Sequence, residues 1–521
     1  MTDTAPLPPG STVTDAAPLS PGFAISAVLC LAAAALADFL FYGQTIGWTL
    51  GFYAALLLAT ILWLDRSCAL KHRATALLAV AIAGQIIAMF LRPSTLSVIL
   101  TTLGLVSIAS RRHLPWPLDT IDWLHRWLSF FLCGWMEIFL AARGRQGQPG
   151  VLGQKSRRTA VVLVKLLPIV VLAGLFVMLF AAANPLIERL LEQVMNGFDL
   201  WLGMITFPSV TRILFWLVVF VFAWALLHFC AKGRLLAESD PSLAVMAEFA
   251  DFFLNPQTVT IGLVVFNAIF AVQNLLDIGY LWGGARLPEG MTYASYAHRG
   301  AYPLVATALL AAVLMLIVFR PSADQKQGRR NRVLVYIWVA QNILLTVSAA
   351  WRLNLYVSVY SLTRLRFAAA VWMLLVALGL VWICARIFAR KSNQWLINAN
   401  VLTLLAVLYV CAFVDVSGCV AHYNVRHCQE YCQVGPDLDF DYLNILGPSA
   451  MPALQWLEGQ TEDDAFKYRV NATLLDLDEK LQAKLVNWRG WTLQRRRLDK
   501  IPVVAMNNPF AEQGEGEASD E

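Results

Sequence analysis

Charged side chains are scarce in this sequence. Only 14% of its 521 residues are Asp, Glu, Lys or Arg, 58% are hydrophobic, and the mean hydropathy is +0.59. A soluble domain carries about 25% charge, so most of this chain is not built to face water. Also missing are a Walker loop, a dinucleotide fingerprint behind a strand, a nucleophile elbow and a His-Glu-x-x-His pair. Their absence removes the usual ATP-driven and hydrolytic designs, and no pattern asks for a cofactor. A membrane-embedded transferase built from scattered carboxylates and arginines stays open. No convincing inverted repeat is visible, which weakens a secondary transporter. Residues 1–21 contain neither Lys nor Arg, so they lack the basic start of a signal peptide and read as a Pro- and Ser/Thr-rich disordered leader.

What is present is apolar sequence in long runs. Stretches of about 18 to 24 residues cross roughly 30 Å of hydrocarbon at 1.5 Å per residue. They lie near 22–42, 45–64, 74–91, 94–109, 160–183, 209–231, 257–281, 302–319, 333–350, 367–388 and 396–416, the fourth being the shortest. Backbone amides in lipid must be satisfied within the segment, and no alternating barrel pattern appears, so these runs should be helices. The expected fold is all-α, a polytopic transmembrane bundle of about eleven spans over 22–416. A small C-terminal appendage (417–505) and a disordered acidic tail (506–521) follow. In the appendage, Leu474, Leu477, Leu481 and Leu485 line one helical face.

The basic residues are distributed unevenly. Connections 65–73, 110–158, 231–256, 320–332 and 386–394 hold 21 Lys and Arg, whereas 43–44, 92–93, 184–212, 284–301 and 351–366 hold 8. The positive-inside rule puts the first set and the N-terminus in the cytoplasm and the C-terminal appendage outside. The net charge of +5 is therefore a topology signal before it is a nucleic-acid signal. Two further segments are amphipathic. Residues 116–143, with Trp123, Trp127 and Trp135 beside Asp122, Arg126 and Glu137, suit a helix lying in the membrane interface, a twelfth span being the rival. Residues 184–204 suit a helix covering the outer face.

Polar residues inside spans are costly and ask for a reason. Asp38 and Asp277 lie toward the outer ends of their spans, and the outer connections add Tyr293, Tyr296 and Arg299 together with "WRLNLYVSVYSLTRLR" at 351–366. On a wheel of 100° per residue, Arg352, Tyr356, Tyr360, Thr363 and Arg366 fall within about 120°. Residues 352–360 also alternate as a strand would, but an unpaired strand at the membrane surface leaves backbone groups unsatisfied, so a helix is preferred. Arginine grips carboxylates and phosphates bidentately, and tyrosine adds a ring and a hydroxyl. The candidate ligand-binding set is Asp38, Asp277, Tyr293, Tyr296, Arg299, Arg352, Tyr356, Tyr360 and Arg364. The competing reading pairs Arg352 with Asp277 or Asp38 and leaves the other arginines to lipid phosphates. Expected partners are the bilayer and an anionic small molecule or lipid headgroup, with no nucleic acid. Three functions fit: binding or transport of an anion, a transferase on lipid-linked saccharides with Asp38 as base, or a non-catalytic envelope scaffold or sensor. Cys419, His422, His427, Cys428 and Cys432 cluster, but their spacing fits no strong zinc pattern. No metal site is expected, and a disulfide joining Cys428 to Cys432, or one of them to Cys419, is the alternative.

Several stretches carry a resemblance: "ADFLFYG" at 37–43, "YLWGG" with "LPEGMTYASYAHRGAY" at 280–302, "AAWRLNLYVSVYSLTRLRFAAAVW" at 349–372, and "LDFDYLNILGPSAMPAL" and "WRGWTLQRRRL" further on. They resemble a bacterial family of multi-pass membrane proteins catalogued only as a domain of unknown function, over roughly residues 20 to 500. The resemblance implies an integral protein of the bacterial inner membrane and cell envelope. It brings no reaction and no ligand, and the family pattern does not call for Cys428 and Cys432.

Overall fold

The computed structural model describes residues 23–64, 73–110, 119–136, 209–228, 256–282 and 329–503. Among the described residues every regular element is helical. The bundle comprises α1 (Phe23–Phe41), α2 (Thr49–Leu64), α3 (Arg73–Leu91), α4 (Thr95–Ser110), α5 (Thr120–Cys133), α6 (Val210–His228), α7 (Pro256–Asp277), α8 (Arg329–Tyr360), α9 (Arg364–Phe388) and α10 (Asn393–Cys411). Stretches within α3, α6, α7, α8, α9 and α10 are long and apolar enough to cross a membrane, and α1, α2 and α4 are shorter apolar helices. The protein therefore has the make-up of an integral membrane protein. The leader, the expected spans 160–183 and 302–319, the amphipathic 184–204 and the acidic tail lie outside the described residues.

Hydrogen bonds between helices show their directions. Asp38 of α1 meets Arg212 of α6, and Tyr42, just past α1, meets Ser209, just before α6, so these two helices run antiparallel. In contrast, α7 and α8 run parallel: Thr260 bonds Asn331, Asn267 bonds the Leu334 carbonyl, and Asn274 bonds the Gln341 carbonyl. The three α7 residues are spaced by seven, which keeps one polar stripe facing the partner in a left-handed pair. α3 and α10 are likewise parallel, joined at Gln85 and Tyr409 and again by the Arg92–Asp415 ion pair past their ends. Within each of these two pairs both helices therefore start at the same end of the bundle.

Helix α5 lies across the opposite end of the bundle. Thr120 bonds Asn398 near the start of α10, Trp127 donates to Ser107 near the end of α4 (2.9 Å), and Phe130 packs edge-on against Phe222 of α6. Within α5 the Arg126 guanidinium lies over the Trp123 ring at 5.9 Å, and the Trp123 and Trp127 rings are 6.2 Å apart.

From residue 416 the packing inverts. Helices α11 (Val416–Arg426), α12 (Phe440–Leu446), α13 (Met451–Glu458), α14 (Asp464–Leu485) and α15 (Leu493–Leu498) enclose their own core of Val420, Val425, Met451, Leu454, Leu474 and Leu477. Leu481 is also buried there and Leu485 packs on its edge, so the leucine face read from the sequence is the core face.

This unit sits on the end of the bundle where α1 ends and α2 begins. Trp48 N–H donates to the Trp491 carbonyl (2.9 Å) and its indole to the Trp488 carbonyl (3.1 Å). The approach is close enough to need glycine. A Cβ on Gly47 would stand 2.3 Å from the Arg489 carbonyl oxygen, and one on Gly490 would stand 2.0 Å from that of Lys484. Asp415 completes the attachment by accepting from both Arg92 and Gln494.

Candidate ligand site at the tail-bearing end of the bundle

The helix expected over 352–360 is present, but the helical wheel carried on to Thr363 and Arg366 is corrected. Helix α8 does continue to Tyr360, which excludes the strand, but the chain breaks at Ser361–Thr363 and restarts as α9 at Arg364. Ser361 takes φ 64°, a left-handed conformation that costs a non-glycine residue about 1 kcal/mol or more. Two contacts hold the break. Asn424 of α11 accepts from Leu362 N–H (2.7 Å) and donates to the Leu362 carbonyl (2.9 Å), and Leu362 packs on the tail core. Thr363 then caps α9 by accepting from Arg366 N–H.

The break divides the three arginines. Arg352 remains on α8 and points into the α7–α8 interface, where it pairs with Asp277, the two side chains being 3% and 0% exposed. Gln273 donates to the same carboxylate oxygen at 2.9 Å. Arg364 turns to the tail: its guanidinium donates to Ser417 Oγ and to the carbonyls of Ile445 and Leu446, and its N–H donates to Tyr442. Arg366 curls back over the end of α8, donating to the carbonyls of Tyr360 and Ser361. Its guanidinium carbon lies 4.3 Å from the Tyr356 ring centroid and 6.0 Å from that of Tyr360, and the two rings are 4.9 Å apart.

Beneath this shelf a cleft of about 480 Å³ runs between α8 and α9, with Arg366 and Tyr423 at its mouth. Its walls are largely apolar, with Leu353 and Val357 contributed by α8 and Met373 and Leu374 by α9.

The remaining candidates lie elsewhere. Asp38 is held through both carboxylate oxygens by Arg212 rather than by the arginines of 351–366, with Tyr42 hydrogen-bonded beside it to Ser209 and Thr211. Arg212 was counted only among the basic residues of the connection 184–212, and nothing in the sequence ties it to Asp38, 174 residues away. Tyr293, Tyr296 and Arg299 lie outside the described residues.

Cys419, Cys428 and Cys432 are free thiols and do not bridge. Cys428 donates to the Val425 carbonyl, and burial pushes its pKa up to about 11. Among the described residues no group of three His, Cys, Asp or Glu is placed to hold a metal.

Against known families, a model described as "Domain of unknown function (DUF4153)" matches residues 23–457. The chain belongs to this family. No curated protein and no solved structure matches it. The family match takes in the whole bundle, the α8–α9 break and the cleft, and stops inside α13. Helices α14 and α15, which supply Leu474, Leu477 and Leu481 to the tail core, lie beyond the matched residues.

Proposed function

We propose that this chain is a polytopic inner-membrane protein of the bacterial envelope that binds an anionic ligand at its tail-bearing end, with that end outside and the N-terminus in the cytoplasm. The observation that carries the reading is the setting of Arg366. Among the described residues it faces carbonyl oxygens and tyrosine rings but no carboxylate, so its full charge stands at the mouth of the cleft. Guanidinium stacked on rings keeps donors for a phosphate or carboxylate. The Lys and Arg bias supports the orientation.

The other readings draw less support. A transport path between α7 and α8 meets polar side chains that already bond across that interface. A transferase with Asp38 as base needs that carboxylate among the arginines of 351–366, and Arg212 holds it instead.

The test is ligand-dependent stabilisation of the purified full chain, since whatever binds the native state raises its melting temperature. Phosphatidylglycerol added to a neutral detergent should raise it for the wild type, with a smaller rise for Arg366→Gln and recovery in Arg366→Lys. An equal rise in wild type and Arg366→Gln would sink the reading.

A further inference from the structure

We infer that the ligand is a phospholipid-like anionic amphiphile, its phosphate at Arg366 and one acyl chain lying in the α8–α9 cleft; this rests on the anion-binding reading above. The cleft has the shape and polarity of half a membrane. It runs along α9 from Arg366 to Ala377 and along α8 from Val357 to Thr346. Eleven residues on either helix rise about 16 Å, close to half of a roughly 30 Å hydrocarbon core. A chain entering at headgroup level therefore ends near the bilayer midplane.

Small residues make the space. Ala350 on α8 and Ala370 and Ala377 on α9 line the cleft, where larger side chains would close the gap. One long side is open, since the lining residues Val347 and Leu374 are 47% and 52% exposed. Such an opening admits a ligand sideways from lipid. A free anion arriving from water finds a different surface, because below Arg366 and Asn354 the walls offer it almost nothing but carbon. A carboxylate or phosphate without a tail would leave the cleft empty, and burying each methylene is worth about 0.8 kcal/mol. Charge at the mouth and carbon below it match one molecule that carries both.

The experiment uses the full chain in nanodiscs of phosphatidylcholine doped with labelled phosphatidylglycerol, extracted into mild detergent, with retained label counted per protein. The wild type should retain phosphatidylglycerol well above phosphatidylcholine. Ala377→Trp fills the deep end of the cleft, three helical turns from Arg366, and should lower retention about tenfold, the equivalent of about two buried methylenes. Arg366→Gln should erase the preference for the anionic lipid. If Ala377→Trp does not elute as a single species, Ala350→Phe narrows the cleft from the other helix. Retention unchanged in a folded cleft-filling variant, with Arg366→Gln still defective, overturns the acyl-chain assignment and leaves the anion site standing. Retention unchanged in Arg366→Gln overturns both.

Discussion

The bundle and the tail are built from the same leucines put to opposite uses. In the tail, Leu474, Leu477 and Leu481 are fully buried while Lys480 and Asp476 pair on the surface. In the bundle, Leu77 and Leu402 are each 70% exposed, while Asn267, Asn274, Asp277 and Arg352 are buried. Water rewards the first arrangement through the hydrophobic effect. Lipid gives no such reward between helices, so small and polar side chains supply the contacts. The two packings join at the α8–α9 break, where Arg366 lies with no carboxylate beside it among the described residues.

The largest effect should come from breaking the bundle's polar interior. Asp277→Leu leaves Arg352 buried without its carboxylate and should cost about 3–5 kcal/mol. Melting of the purified protein, followed by helical signal, would show it, and Asp277→Leu combined with Arg352→Leu should recover most of the loss. The contrast between solvents predicts next that Leu477→Ala costs about 2–5 kcal/mol in the tail. Leu402→Ala, on the lipid-facing side of α10, should leave the melting profile nearly unchanged. Equal effects of the two leucine substitutions would dissolve the distinction.

The junction comes third. Gly490→Ala forces the chain away from Lys484 and Thr45 at a cost of about 1–3 kcal/mol. Limited proteolysis should then release the tail from an intact bundle. The smallest effect concerns acid. Burial, and then the Arg426 charge, hold the pKa of His422 below its usual value. The unfolded chain therefore takes up the proton first, and tail stability falls as pH drops through the ordinary histidine range. His422→Gln should flatten that decline between pH 7.5 and 5.5, by less than about 1 kcal/mol because the ring is partly solvated.

Much of the helical layout was legible because a lipid-crossing helix advertises itself by length. The run at 94–109 is α4 at Thr95–Ser110, and the run at 209–231 is α6. The Arg352–Asp277 pair was one of two readings of the same residues, and the parallel stripe of Thr260, Asn267 and Asn274 decides it. The break at Ser361 was not legible. Ser-Leu-Thr carries neither Gly nor Pro, and the clamp that bends it is Asn424, distant in sequence. Helical-wheel reasoning therefore grouped Arg352 with Arg366, although one ends up in the bundle interior and the other at the cleft. The Thr363 cap was the one local hint.

The parallel pairing of α7 and α8 also sets an order of events at the ribosome. Asp277 is made 75 residues before the arginine that neutralises it, an interval of about 4 to 15 s at typical synthesis rates. Throughout that interval α7 waits for the arginine it meets in the folded protein. The α7–α8 contact is thus a delayed, long-range one rather than a hairpin of consecutively made helices.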